Sequence, residues 1–85
     1  MVKVRVYLQD MSNFLEEPYV EVKVAVRPVV GDLFYLTHKQ EKYFIKKLKS
    51  LGLYYKEMPP IEEFITVGLV FLPQGKNFVQ IELKA

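Results

Sequence analysis

Twice within the first 26 residues the chain alternates apolar and polar side chains long enough to dictate strands. Val2, Val4, Val6 and Leu8 are separated by Lys3, Arg5 and Tyr7. Val20, Val22, Val24 and Val26 are separated by Glu21, Lys23 and Ala25. Successive side chains of a strand point to opposite faces, so each run gathers its aliphatic residues on one side. Valine, branched at Cβ, also suits a pleated strand better than a helix. Two one-faced strands predict an antiparallel pair, with one face on the core and the other open to water. Between them, Asp10, Ser12 and Asn13 break the period. Ser12 can cap a helical turn there, anchored by Phe14 and Leu15.

The second constraint is a helix with signals at both ends. Thr37 is a good N-cap, and Gln40 three residues later allows cap and third residue to bond reciprocally. Phe44, Ile45, Leu48 and Leu51 follow at helical spacing as one apolar stripe. Gly52 suits the left-handed position that closes a helix, and lysines crowd the last turns, where the dipole is negative. These features predict a helix over about 38–51, packed on the valines of the first two strands.

Elsewhere the pattern is punctuated by glycine and proline. Residues 28–32 break the chain, after which Leu33–Leu36 reads as a short strand and Leu53–Tyr55 as another. Pro59-Pro60 imposes a loop, and Ile61-Glu62-Glu63 can start a brief helical turn. Phe64–Leu72 is apolar almost throughout, which predicts a strand buried on both faces, with Gly68 marking a bulge or a close backbone approach. After a turn at 73–77, Phe78–Leu83 alternates as a last strand. The expected fold is α+β: a small curved antiparallel sheet, or a partly open barrel, of five to six strands with one inserted helix. The spacing, with Val30-Gly31-Asp32 as a turn leading into a strand, resembles small SH3-like or split barrels. That resemblance implies a closed or nearly closed sheet and carries no function; the helix after residue 37 departs from it.

Eighty-five residues make a single domain, 1–85, because domains usually run from roughly 50 to 250 residues. Hydrophobic residues make up 51% of the chain, more than one small core readily hides, which points to a face that meets a partner. With no cysteine, neither a disulfide nor a thiolate site can form. No basic segment with an apolar stretch precedes the first strand, and the longest apolar run, Phe64–Leu72, falls far short of the about 20 residues a membrane helix needs. A cytoplasmic protein without membrane contact is the expectation.

Chemistry-bearing constellations are sparse. One histidine and no cysteine leave a metal site dependent on carboxylates, and the pairs Glu16-Glu17 and Glu62-Glu63 are sequence neighbours that diverge in regular structure. Ser12 and Ser50 lack the strand-turn-helix setting of a nucleophile, and His38 sits at a helix start as a first-turn residue rather than as a general base. All four glycines are isolated, so no phosphate-cradling loop exists. The expectation is a protein that is not an enzyme and uses no cofactor.

Two features suggest binding instead. Net charge is only +2, yet residues 38–50 hold five lysines against one glutamate. Lys39, Lys42, Lys46 and Lys49 fall within about an 80° arc on the side opposite the apolar stripe. Such a row can track phosphates, with Tyr43 available to stack on an unpaired base. It equally serves as the solvated face any surface helix needs, and the absence of arginine there argues against specific readout. The second feature is a surplus of tyrosine at Tyr7, Tyr19, Tyr54 and Tyr55, a residue type suited to interfaces. The leading expectation is therefore a non-catalytic binding or assembly module acting through a sheet edge or an aromatic patch. Its partner is a second copy, as a homodimer, or another protein. The alternative is a nucleic-acid-binding domain using the lysine face.

Overall fold

The structure, a computed structural model, describes residues 1–9 and 18–85. The expected helical turn after Ser12 lies outside the described residues. Element order is β1 (Val2–Leu8), β2 (Val20–Val24), α1 (His38–Ser50), a 3-10 turn (Ile61–Glu63), β3 (Thr66–Phe71) and β4 (Val79–Lys84). The α+β class holds, but the strands form a four-stranded open sheet in the order β2-β1-β4-β3. β1 runs antiparallel to β2, and β3 antiparallel to β4. The central pair is parallel, with Val4 beside Val79 and Leu8 beside Leu83. A wholly antiparallel sheet of five to six strands, and the barrel, are thereby corrected. Parallel neighbours need a long crossover, and α1 with its flanking loops provides it.

Both early alternating runs form strands as expected. Val4, Val6 and Leu8 join Val79, Ile81 and Leu83 on one face and bury against Phe44 and Leu48 of α1. Ile61 and Phe64 complete that core beside the helix, and Val20, Val22 and Val24 pack on it half-buried. β2 stops at Val24, and Val26 beyond it is 79% exposed instead of facing inward. The opposite face is not wholly wet, because Tyr7, Phe78 and Gln80 are also buried.

The helix carries the cap its sequence predicts. The Gln40 amide donates to the Thr37 hydroxyl oxygen at 3.2 Å, and the Thr37 amide donates to the Gln40 side chain at 2.9 Å. At the other end Gly52 adopts φ +71°, its N–H donating to the Lys49 carbonyl at 3.2 Å and that of Leu53 to Leu48 at 2.8 Å. This double closure satisfies carbonyls the helix leaves open. It also displaces Leu51, which caps the helix at 52% exposure, while Leu53 folds back onto the core in its place. Leu51 is thus not a core residue, and Leu53–Tyr55 is not a strand.

The Phe64–Leu72 run is an edge strand, not a centrally buried one. A register shift between Val67 and Leu69 marks the bulge at Gly68. Val67 lies opposite Leu83 and Val70 opposite Ile81, on the helix side, whereas Leu69 and Phe71 lie opposite Glu82 and Gln80 on the other. The bulge reverses the face that each position serves, and this is why the run lacks alternation. The expected strand at Leu33–Leu36 is only a bridge from Leu33 to Thr66. Around it, Gly31 donates to Val67 at 2.8 Å, Val67 to Asp32 at 2.9 Å and Phe34 to Ile65 at 2.7 Å. Gly31, at φ +94°, allows the turn that brings this segment alongside β3. Phe78 precedes β4 and belongs to the face away from the helix.

Candidate interaction surfaces

The lysines of α1 stand where the helical arc places them. Lys39, Lys42, Lys46 and Lys49 are all exposed. Lys49 approaches the Tyr54 ring at 5.2 Å from its centroid. Tyr43 is half-buried, its ring edge-on to Phe44 with centroids 5.7 Å apart, so its faces are not simply offered to solvent.

The four singled-out tyrosines do not form one patch. Tyr54 and Tyr55 lie in the segment leaving the helix, 41% and 51% exposed. Tyr7 and Tyr19 meet on the sheet face away from the helix, with centroids 5.3 Å apart. Tyr19 is half-buried, and Tyr7 is only 1% exposed and thus lies inside the molecule. Burial pushes the Tyr7 phenol above its usual pKa, with the nearby Arg5 guanidinium opposing the shift. Among the described residues the Tyr7 hydroxyl nevertheless makes no well-formed hydrogen bond.

Arg5 organises that face. Its guanidinium carbon lies 4.0 Å from the Phe78 ring centroid and 4.7 Å from that of Tyr19, a cation held between two aromatic rings. Its Nε–H points to Glu21 Oε1 at 3.4 Å, a partly exposed pair of modest worth. Beside it opens a cleft of about 370 Å³ lined by Lys3, Arg5, Glu21, Lys76, Asn77 and Phe78. Gln80 lies opposite Arg5 on β4, fully buried, and neither amide atom finds a hydrogen-bond partner among the described residues.

The two sheet edges differ. The first half of β3 is covered by the hydrogen bonds from residues 31–34. On β2, among the described residues, no backbone group bonds to the outer side, and the strand carries neither proline nor bulge. Sequence reasoning anticipated an open edge but not which strand supplies it. Val20–Val24 alternates as cleanly as β1, and nothing in that pattern separates an edge strand from a central one.

Among the described residues no group of three or more histidine, cysteine, aspartate or glutamate side chains converges to hold a metal, and no helix is long and apolar enough to cross a membrane. No protein family, curated protein or solved structure matches this chain.

Proposed function

We propose that this small α+β domain is a non-catalytic binding and assembly module whose working surface is the outer edge of β2. The observation that supports this reading is the asymmetry of the edges among the described residues: the first half of β3 is covered by its own chain, and no backbone group bonds to the outer side of β2. An uncovered strand presents unpaired N–H and C=O groups that another strand can satisfy. Main-chain bonds then supply affinity, and alternate side chains supply selectivity. Val20, Val22 and Val24 offer apolar surface on one face of that edge, and Glu21 and Lys23 offer charge on the other. The tyrosines support this reading less well, since Tyr7 is buried and the exposed pair, Tyr54 and Tyr55, follows the helix.

The test is amide hydrogen exchange. Exchange at Val20–Val24 is followed as protein concentration rises, and again with extended heptapeptides selected from a displayed library. Slowing at the β2 amides in either series supports the reading. If neither self-association nor any selected peptide protects them, the edge is not a working surface.

A further inference from the structure

The open edge reads Val20-Glu21-Val22-Lys23-Val24, and its charges are opposite in sign about the middle residue. Two copies paired antiparallel about a twofold axis through Val22 bring Val20 opposite Val24, Val22 opposite its own image, and Glu21 opposite Lys23. Each pair is then valine on valine or carboxylate on ammonium, the combinations that stabilise adjacent strands. Neighbouring registers fail. Centring on Glu21 sets two glutamates together, and centring on Lys23 sets two lysines together. A shift by one residue puts valines opposite charges and turns the two helices to opposite faces.

Two further observations favour this occupant. Within its own chain Lys23 stands opposite Lys3, a like-charge pair, and among the described residues it has no carboxylate partner. Glu21 stands opposite Arg5 but meets it only at 3.4 Å, with its side chain 43% exposed, which leaves room for a second cation. The valines of β2 are only half-buried on the helix side, although they adjoin the core.

We infer that the β2 edge is occupied by a second copy of this chain, paired about Val22 so that Glu21 of each protomer meets Lys23 of the other. The twofold axis stands normal to the sheet, so the product is a continuous eight-stranded sheet with both helices on one face. Six valines then fill the strip between them. This inference rests on the reading of β2 as the working edge, and adds the partner and the register.

Light scattering on a column eluate, from low-micromolar to millimolar protein, tests it. The wild-type mass should rise with concentration from 10.0 kDa towards twice that value. Lys23→Glu converts both charge pairs to Glu–Glu and should raise the dissociation constant on the order of tenfold to a hundredfold. It also replaces the Lys3–Lys23 repulsion by an opposite-charge pair, so the protomer stays folded, as circular dichroism melts verify. Glu21→Lys should weaken association likewise. An equimolar mixture of the two single variants should recover the dimer as a heterodimer, and the Glu21→Lys/Lys23→Glu double variant should recover it alone. A wild-type mass of 10.0 kDa at every concentration overturns the inference, as do variants that dimerise like wild type. In either case, a selected peptide that protects the β2 amides leaves the broader reading standing. If nothing protects those amides, both fail.

Discussion

Leu48 and Leu51 are the same residue type three positions apart on one helix, and both fall on the stripe that helical spacing draws. Leu48 is completely buried among β1, β4 and Phe44, whereas Leu51 is 52% exposed at the helix cap. Truncating each to alanine separates packing from propensity, because leucine and alanine are both good helix formers. At position 48 the lost side chain removes three carbons, roughly 2.5 kcal/mol at about 0.8 per buried methylene. The cavity left behind places the total in the usual range of about 2–5 kcal/mol. A chain of 85 residues has a total stability of about 4–13 kcal/mol, so this is a large share. At about 4–8 °C per kcal/mol, a loss of 3 kcal/mol lowers the melting temperature by roughly 10–25 °C. At position 51 the cost should stay below about 0.5 kcal/mol, as for surface changes in general. Urea melts followed by circular dichroism, with equal slopes for the two variants, give both values. If Leu48→Ala costs less than about 0.5 kcal/mol, or Leu51→Ala costs as much as Leu48→Ala, the packing of α1 on the sheet is refuted.

Gln80→Met should stabilise the fold by about 1 kcal/mol or more, because it removes a buried amide with neither atom bonded among the described residues and keeps its length. A lower melting temperature in that variant would mean the amide is satisfied. The raised phenol of Tyr7 binds its proton more tightly when folded, so its stabilising contribution is fully present below the unfolded value of about 10 and is lost as pH rises through the folded one. Urea melts at neutral pH and above pH 10 should therefore show wild type losing more stability than Tyr7→Phe. The lysine row of α1 should give no saturable binding in anisotropy titrations with single- or double-stranded oligonucleotides at low salt. Saturable binding that weakens with salt, with a slope flattened by Lys39, Lys42, Lys46 and Lys49→Gln, would restore a nucleic-acid role.

What could be read from residues alone was what is local. Thr37 and Gln40 sit three positions apart, and Gly52 follows the helix directly, so the signals that bound α1 lie within the stretch they define. β1 and β2 announce themselves by alternation. The neighbours of β1 do not, because the pairing of Val4 with Val79 depends on how the whole chain returns across the sheet. Gly68 was readable as a bulge, but its effect was not: reversing the faces turns an edge strand into an unbroken apolar run that mimics a buried one. The same blindness covers the proposed interface. Glu21 and Lys23 look like ordinary solvent-side charges until β2 is known to be outermost.

The parallel pairing of β1 with β4 also dictates the order in which the fold can be completed. The β1–β2 hairpin can form early, and α1 has its own caps, but the floor on which Phe44 and Leu48 rest lacks Val79, Ile81 and Leu83 until β4 joins. Until then the hairpin's valines have half a partner, and each of its two strands is an edge. Closing so long a stretch of chain costs entropy before any contact repays it, which predicts slow folding for a domain of this size. During that interval the inner side of β1 would be open to a neighbouring hairpin as well as to β4. Crowding nascent copies together therefore favours strand exchange, and dilution favours the correct sheet.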